Sequence, residues 1–173
     1  SFATANKQQK LNFNHPVKEL IWVIQKDKAA SASTSAVGGD LDAVKNTPYQ
    51  SHGSWNKNDW FNYGLDNNSG YDKETIAGVS VSEPFGTMKL QLNGHDRFAP
   101  RNASYFRICQ PFQAGHKVPT KHIYCYSFAL KPEEHQPSGT CNFSRIDNAK
   151  MVFINKAGGL SQLPSSLTVY AVN

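Results

Sequence analysis

The chain has 173 residues, which is enough for one domain with a buried core and short for two. Hydrophobic residues make up 39% of the chain and charged residues only 18%. This excludes a charge-driven disordered segment and a helical bundle rich in Ala, Glu, Lys and Leu. The formal net charge of +5 lies in the second half, because residues 1–90 carry nine basic and nine acidic side chains. The aromatic content of 12% favours an all-β protein.

Targeting and redox features are sparse. No apolar run approaches the roughly 20 residues that span a bilayer. The first residues lack the basic and apolar regions of a signal peptide, and the missing initiator Met predicts a fragment or a processed product. Cys109, Cys125 and Cys141 are too few for a disulfide framework and too widely spaced for a zinc knuckle. We therefore expect three buried, reduced thiols and a reducing compartment.

Two extended segments are predicted first along the chain. Residues 11–14 alternate apolar and polar side chains, which is the period of a half-buried strand. Pro16 then interrupts the pattern and predicts a bend or an edge position. Residues 17–25 form the second segment. Its apolar end, Leu20–Ile24, predicts a strand that is buried on both faces or covered by another element.

Residues 26–86 have a different character and are interpreted as a loop-rich insertion. The small side chains at 29–39 are typical of an exposed loop, and 75–81 is a candidate strand. A largely structureless stretch of this length in a compact domain indicates a functional surface loop. Its aromatic side chains are candidates to stack on sugars, to anchor a protein interface or to pack under the loop itself. They are Trp55, Trp60, Phe61 and Tyr63.

The pattern becomes regular in the second half. Residues 88–93 predict a strand, and Asn93-Gly94 is a favoured hairpin turn. A short helix is predicted at 103–110, ending at Pro111. The side chains expected to share one face of this helix are Tyr105, Phe106 and Cys109.

Further strands are predicted at 122–130, 149–154 and 167–172, with a Pro- and Gly-bounded loop at 132–139 and a turn at 157–159. Six to eight strands with large loops and almost no helix predict an all-β fold. The expected architecture is an antiparallel β-sandwich of jelly-roll topology, with long surface loops and one or two short helices.

Catalytic motifs are absent from the sequence. There is no complete Gly-x-Ser-x-Gly elbow, no phosphate-binding Gly-rich loop and no His-Glu-x-x-His pair. His95-Asp96 and Glu133-Glu134-His135 are candidates for acid–base or metal chemistry, but polar turns explain them more simply. We therefore predict no catalytic residue, cofactor or metal.

Three glycosylation sequons occur in the chain. They matter only in a secretory lumen, and chance explains them in a sequence rich in Asn and Ser. The acceptor residues would be Asn67, Asn102 and Asn142.

Four longer stretches are more specific than any short motif. They read NHPVKELIW at 14–22, LNGHDRF at 92–98, PTK followed by IYCYSFAL within 119–130, and KPEEHQPSGTCNFSRID at 131–147. Together they resemble the major capsid protein of large nucleocytoplasmic double-stranded DNA viruses.

The resemblance implies a non-enzymatic structural protein. The family has two consecutive jelly rolls per chain, and its trimeric pseudo-hexagonal capsomers tile an icosahedral shell. Residues 1–173 resemble only the second jelly roll, with 26–86 as a variable insertion. The implied partners are further copies of the chain, minor capsid proteins and an internal membrane on the basic side, with no specific nucleic acid. The implied location is the virion, assembled in the host cytoplasm.

Two alternatives stay open at the level of sequence. One is a carbohydrate-binding β-sandwich that uses Trp55 and Trp60 as a stacking platform. The other is a non-capsid assembly scaffold with the same fold.

Overall fold

The computed structural model describes residues 6–26, 63, 83–154 and 165–173. These residues form mostly strands, with one longer helical segment, a 3₁₀ turn at Phe143–Arg145 and connecting loops. The strands are β1 (Asn6–Leu11), β2 (Pro16–Val17), β3 (Glu19–Lys26), β4 (Thr87–Leu92), β5 (His95–Asp96), β6 (Arg101–Asn102), β7 (Ile123–Ser127), β8 (Cys141–Asn142), β9 (Ala149–Ile154) and β10 (Ser165–Val172). The helical segment is a π-helical turn, Tyr105–Cys109, followed by α1, Gln110–Gln113.

The strands pair into two main antiparallel sheets. The larger, five-stranded sheet has the order β1-β9-β4-β5, with β6 also paired to β4. The smaller sheet has the order β10-β3-β7, and β2 pairs with β8 in a separate ribbon. Leu11 of β1 lies opposite Ala149 of β9, so the pairing joins distant parts of the sequence. The prediction of an all-β antiparallel jelly-roll fold is confirmed.

The strands predicted at 88–93, 149–154 and 167–172 match the structure closely, whereas the strand predicted at 122–130 spans only Ile123–Ser127. The strand predicted at 149–154 has those bounds, and the predicted Asn93-Gly94 turn follows β4 with positive φ at both residues. The first predicted strand is displaced, because β1 ends at Leu11. Phe13, expected within it, instead packs edge-to-face on Phe143 with ring centroids 5.6 Å apart.

A continuous series of aromatic contacts joins the two sheets. Trp22 of β3 stacks on Tyr124 of β7, with ring centroids 5.9 Å apart. Phe85 lies 4.9 Å from Tyr124 and 5.1 Å from Phe153 of β9, measured between ring centroids. Phe85 therefore bridges the smaller sheet to the larger one. Offset and edge-to-face ring pairs of this kind each add about 0.5–1.5 kcal/mol beyond their buried area.

Strand β3 is buried mainly on one face. Its inward side chains, Leu20, Trp22 and Ile24, are fully buried. Ile21 and Val23, on the outer face, are only half-buried. The sequence prediction of a strand buried on both faces therefore overstated the cover on the outer face.

The helical segment continues beyond Pro111, where the sequence predicted its end. Pro111 occupies the start of α1, a position at which its missing N–H is not needed. The π-helical turn, Tyr105–Cys109, comes directly before it. Ala114 then closes the helix by donating its N–H to the Gln110 carbonyl.

The cysteines differ in burial, although all three are free thiols as predicted. Cys125 is buried, Cys141 is half-buried and Cys109 is exposed. The prediction of three buried thiols is therefore wrong for two of them. Cys109 also does not share a face with the buried Phe106, because the π-helical turn shifts the side chains that follow it.

The loop-rich insertion predicted at 26–86 lies largely outside the described residues, as do the strand predicted at 75–81 and the turn predicted at 157–159. No helix among the described residues is long and apolar enough to cross a membrane.

The loop after β7 closely approaches the backbone at the end of that strand at Gly139. Its φ is +151°, and a Cβ placed there would lie 2.7 Å from the Phe128 carbonyl oxygen. Gly94 also has a positive φ, but a Cβ there meets nothing within 4 Å. We expect Gly139→Ala to lower the free energy of unfolding by about 2–4 kcal/mol and Gly94→Ala by about 1 kcal/mol. Urea unfolding measures both, and equal losses would contradict the close approach at Gly139.

Candidate functional site

The helical segment presents two large apolar side chains to solvent. Its buried side chains recur with helical spacing and form the face that packs against the core. They are Ala103, Phe106, Arg107, Gln110, Pro111 and Ala114. Ile108 and Phe112, four residues apart, lie on the opposite face and are 42% and 75% exposed. The core therefore does not explain why these two positions are apolar.

An ion pair and a tyrosine hydroxyl fix the helical segment against the smaller sheet. Arg107 donates from Nε to Glu83 Oε1 at 2.9 Å, and both side chains are largely buried. Tyr124 of β7 donates its hydroxyl to the other oxygen of Glu83 at 2.6 Å. Gln110 accepts at 3.2 Å from the backbone N–H of Ser127. The exposed face of the helix is thus held on a rigid support.

The loop after β7 presents a third exposed apolar side chain, Leu130, which is 79% exposed. The backbone on either side of it is well anchored. Phe128 and Ala129 both donate their N–H groups to the Lys18 carbonyl, at 2.8 and 3.3 Å. Lys131 donates its N–H to Ser138 Oγ at 2.8 Å, which closes the base of the loop. Leu130 is therefore exposed on ordered backbone.

His116 ties the end of the helical segment to this loop. Its Nε2 lies 2.9 and 3.0 Å from the two carboxylate oxygens of Glu19 in β3. Its Nδ1 lies 2.7 Å from Glu133 Oε1 in the loop. Phe112 is four residues before His116, and Leu130 is three residues before Glu133. The histidine therefore links the two segments that carry the most exposed apolar side chains of the described chain. We use the name apolar end surface for these three exposed side chains, Ile108, Phe112 and Leu130, on the two segments that His116 links.

Cys125 of β7 adjoins the buried carboxylate of Glu19. Burial raises the pKa of the Cys125 thiol, and the charge of Glu19 and a hydrogen bond to it raise that pKa further. The thiol is therefore neutral at physiological pH and is a poor nucleophile.

The predicted acid–base candidates take structural roles. Asp96 accepts from Lys89 Nζ at 2.9 Å and Gln91 Nε2 at 2.6 Å, and the hydrogen bond from Lys89 is the largest cause of its lowered pKa. Glu134 pairs with Lys131 at 2.8 Å, whereas Glu133 bonds to His116. The described residues contain no group of three or more His, Cys, Asp or Glu side chains suited to a metal ion.

The predicted aromatic and sequon residues are only partly described. Trp55, Trp60, Phe61 and Asn67 lie outside the described residues. Tyr63 is half-buried, and burial, followed by the nearby Tyr170 of β10, raises its pKa. Asn102 and Asn142 are both exposed, and the Asn142 side chain accepts from the Ser144 N–H at 3.0 Å. No arrangement of the described residues brings these candidates together.

Among the described residues, the outer face of the five-stranded sheet carries more basic than acidic side chains. Lys10 of β1 lies directly opposite Lys150 of β9, and like charges in that arrangement destabilise a sheet. Lys89 is on the same face but is paired with Asp96. Lys150 donates to the neutral Gln8 side chain at 3.2 Å. This face therefore favours a neighbour with anionic groups.

Comparison with known proteins gives the family. A family model for the large eukaryotic DNA virus major capsid protein matches residues 1–165. The chain belongs to this family. The major capsid protein of Phaeocystis pouchetii virus is 36% identical over the whole of this chain and 43% of its own length. The major capsid protein of Paramecium bursaria Chlorella virus 1 is 40% identical over 85% of this chain and 30% of its own length. The chain thus spans less than half the length of these relatives.

Solved capsid proteins share the architecture. A quasi-atomic model of the PBCV-1 virus capsid contains a chain that matches 96% of this one, with a TM-score of 0.56 and 30% identity. That match covers 42% of the neighbour's chain. The match to the Faustovirus major capsid protein covers 99% of this chain and 32% of the Faustovirus chain, with a TM-score of 0.64. Its 14% identity supports the fold alone.

Sequence reasoning missed the apolar end surface and His116. Extending the helical pattern through Ala114 would have placed Ile108 and Phe112 opposite the buried positions. Nothing in the sequence links His116 to Glu19, because 97 residues separate them.

The hydrogen bond between Tyr124 and Glu83 gives a testable contribution to stability. Tyr124→Phe removes the hydroxyl donor from a largely buried carboxylate, so we expect a loss of about 1–3 kcal/mol in the free energy of unfolding. Tyr126→Phe is the matched control, since Tyr126 is also partly buried but its hydroxyl has no hydrogen bond among the described residues. We expect the control to lose less than about 0.5 kcal/mol in urea unfolding. Similar losses for both variants would refute the role of the hydroxyl.

Proposed function

We propose that this chain is the second of two jelly rolls in a major capsid protein, and that the protein forms homotrimeric, pseudo-hexagonal capsomers of an icosahedral shell. The observation that carries the proposal is the apolar end surface in a chain of the capsid family. The relatives are more than twice as long as the part this chain covers, which leaves room for another jelly roll.

The apolar end surface supports a role in subunit contacts. Ile108, Phe112 and Leu130 keep large apolar areas exposed on backbone that ion pairs and hydrogen bonds hold in place. Large exposed apolar patches on ordered surfaces mark interaction sites. Ordered side chains also lose little conformational entropy when a partner covers them, so the contact is favoured. We assign this surface to contacts with another copy of the chain.

The remaining parts of the proposal rest on the membership of this chain in the capsid protein family. A protein whose role is to form a shell has no need of a catalytic centre, so we propose that it is not an enzyme. The basic outer sheet face around Lys10 and Lys150 is the described surface that best suits an internal membrane. Minor capsid proteins as partners and assembly in the host cytoplasm belong to the same proposal. The carbohydrate-binding hypothesis and glycosylation at Asn67, Asn102 or Asn142 stay predictions.

The test is the assembly state of the native protein carrying Phe112→Ser and Leu130→Ser together. We expect the unaltered protein to be a trimer and the double variant to dissociate, because interface hot spots are worth about 2 kcal/mol or more, or roughly thirtyfold in affinity, each. Native mass spectrometry with light scattering measures the association. The free energy of unfolding of the dissociated subunit should stay unchanged, since both side chains are exposed before association.

Ile154→Ser is the matched control for this test. Ile154 is also apolar and 40% exposed, but it lies on the outer face of the five-stranded sheet. We expect this variant to remain trimeric. A double variant that associates as tightly as the unaltered protein would overturn the assignment of the surface.

A further inference from the structure

His116 is placed so that only its protonated form satisfies both of its partners. Its Nε2 lies 2.9 Å from Glu19 and its Nδ1 lies 2.7 Å from Glu133. A neutral imidazole has one N–H donor and one lone pair, whereas the imidazolium has two donors. With the neutral ring, one nitrogen lone pair would face a carboxylate oxygen. The geometry therefore favours the cation.

The two carboxylates differ sharply in their surroundings. Only 2% of the Glu19 side chain is exposed, whereas 73% of the Glu133 side chain is exposed. A buried carboxylate without a cation or a donor is costly, while an exposed carboxylate is hydrated at little cost. When the ring loses a proton, the remaining N–H should therefore stay with Glu19. The bond to Glu133 is the one that breaks.

The other charged groups around the ring do not replace His116. The thiol of Cys125 in β7 bonds to Glu19 and is neutral. Lys131 is occupied by Glu134 in the same loop. Lys18 and Lys117, the sequence neighbours of Glu19 and His116, form no ion pair within the described part of the chain. His116 is thus the cation that connects β3 to the loop after β7.

We propose that His116 is a pH-dependent clamp that holds the loop of residues 131–139 against β3 when protonated and releases it when neutral. Because Leu130 immediately precedes this loop, the clamp would restrain the chain that follows the apolar end surface. That consequence rests on the proposed function. The clamp itself concerns the unassembled protein and stands independently of it.

The sign of the pH dependence follows from the surroundings of the ring. Burial lowers the pKa of His116, but the hydrogen bond to Glu133 and the charge of Glu19 outweigh burial and raise that pKa above 6.5. A raised pKa means that the clamp stabilises the fold fully below about pH 6.5. The stabilisation is lost as the pH rises through the folded-state pKa. His116 therefore holds the loop of residues 131–139 in mildly acidic solution and releases it in alkaline solution.

The test is hydrogen exchange of residues 131–139 in the unassembled protein at pH 6 and pH 9, corrected for intrinsic exchange rates. We expect about threefold to tenfold greater protection at pH 6 in the unaltered protein. Glu133→Gln should abolish this pH dependence, because its amide oxygen carries no full charge. Glu134→Gln is the matched control and should retain it, since Glu134 bonds to Lys131.

A second readout does not depend on any variant. Nitrogen NMR of the unaltered protein at pH 6 should find both ring nitrogens of His116 protonated. A neutral ring at pH 6, or the same change in protection in the unaltered protein and Glu133→Gln, would overturn the clamp. Since both readouts use unassembled protein, they leave the trimer test as a separate question.

Discussion

The contact of Phe85 with Tyr124 and Phe153 is the interaction on which the rest of the structure depends. Tyr124 belongs to the smaller sheet and Phe153 to the larger one, so a single side chain from the segment before β4 joins the two layers. Trp22 continues the series from Tyr124 to Phe106 of the helical segment, with ring centroids 5.4 Å apart. Rigid rings with few rotatable bonds hold their positions at low entropic cost. The sandwich is therefore fixed at its centre.

That central packing also determines what the surface presents. Phe106 buries one face of the helical segment in the core, and the ion pair between Arg107 and Glu83 holds the same face in place. Ile108 and Phe112 are consequently turned outward. The loop after β7 is secured at its base by backbone hydrogen bonds, so Leu130 is exposed as well. A core built in this way leaves exposed apolar side chains on ordered backbone.

Features that depend on neighbouring residues could be predicted from the sequence, whereas features that depend on contacts between distant segments could not. Strand 149–154 was predicted to the residue because alternation of side chains is a local property. The predicted end of the helix at Pro111 was wrong because a proline is compatible with the first turn of a helix as well as with the end of one. The cluster of His116, Glu19 and Glu133 depends on the packing of three distant segments, so no local motif could predict it. Residues 14–22 and 92–147, by contrast, carried enough specific sequence for the family resemblance.

We have proposed that the apolar end surface is buried between copies of the chain. The most direct measurement is electron cryo-microscopy of the native assembled particle at a resolution that shows side chains. We expect Phe112 and Leu130, which are 75% and 79% exposed in the single chain, to be covered by a neighbouring copy. A particle in which both side chains face solvent would contradict it.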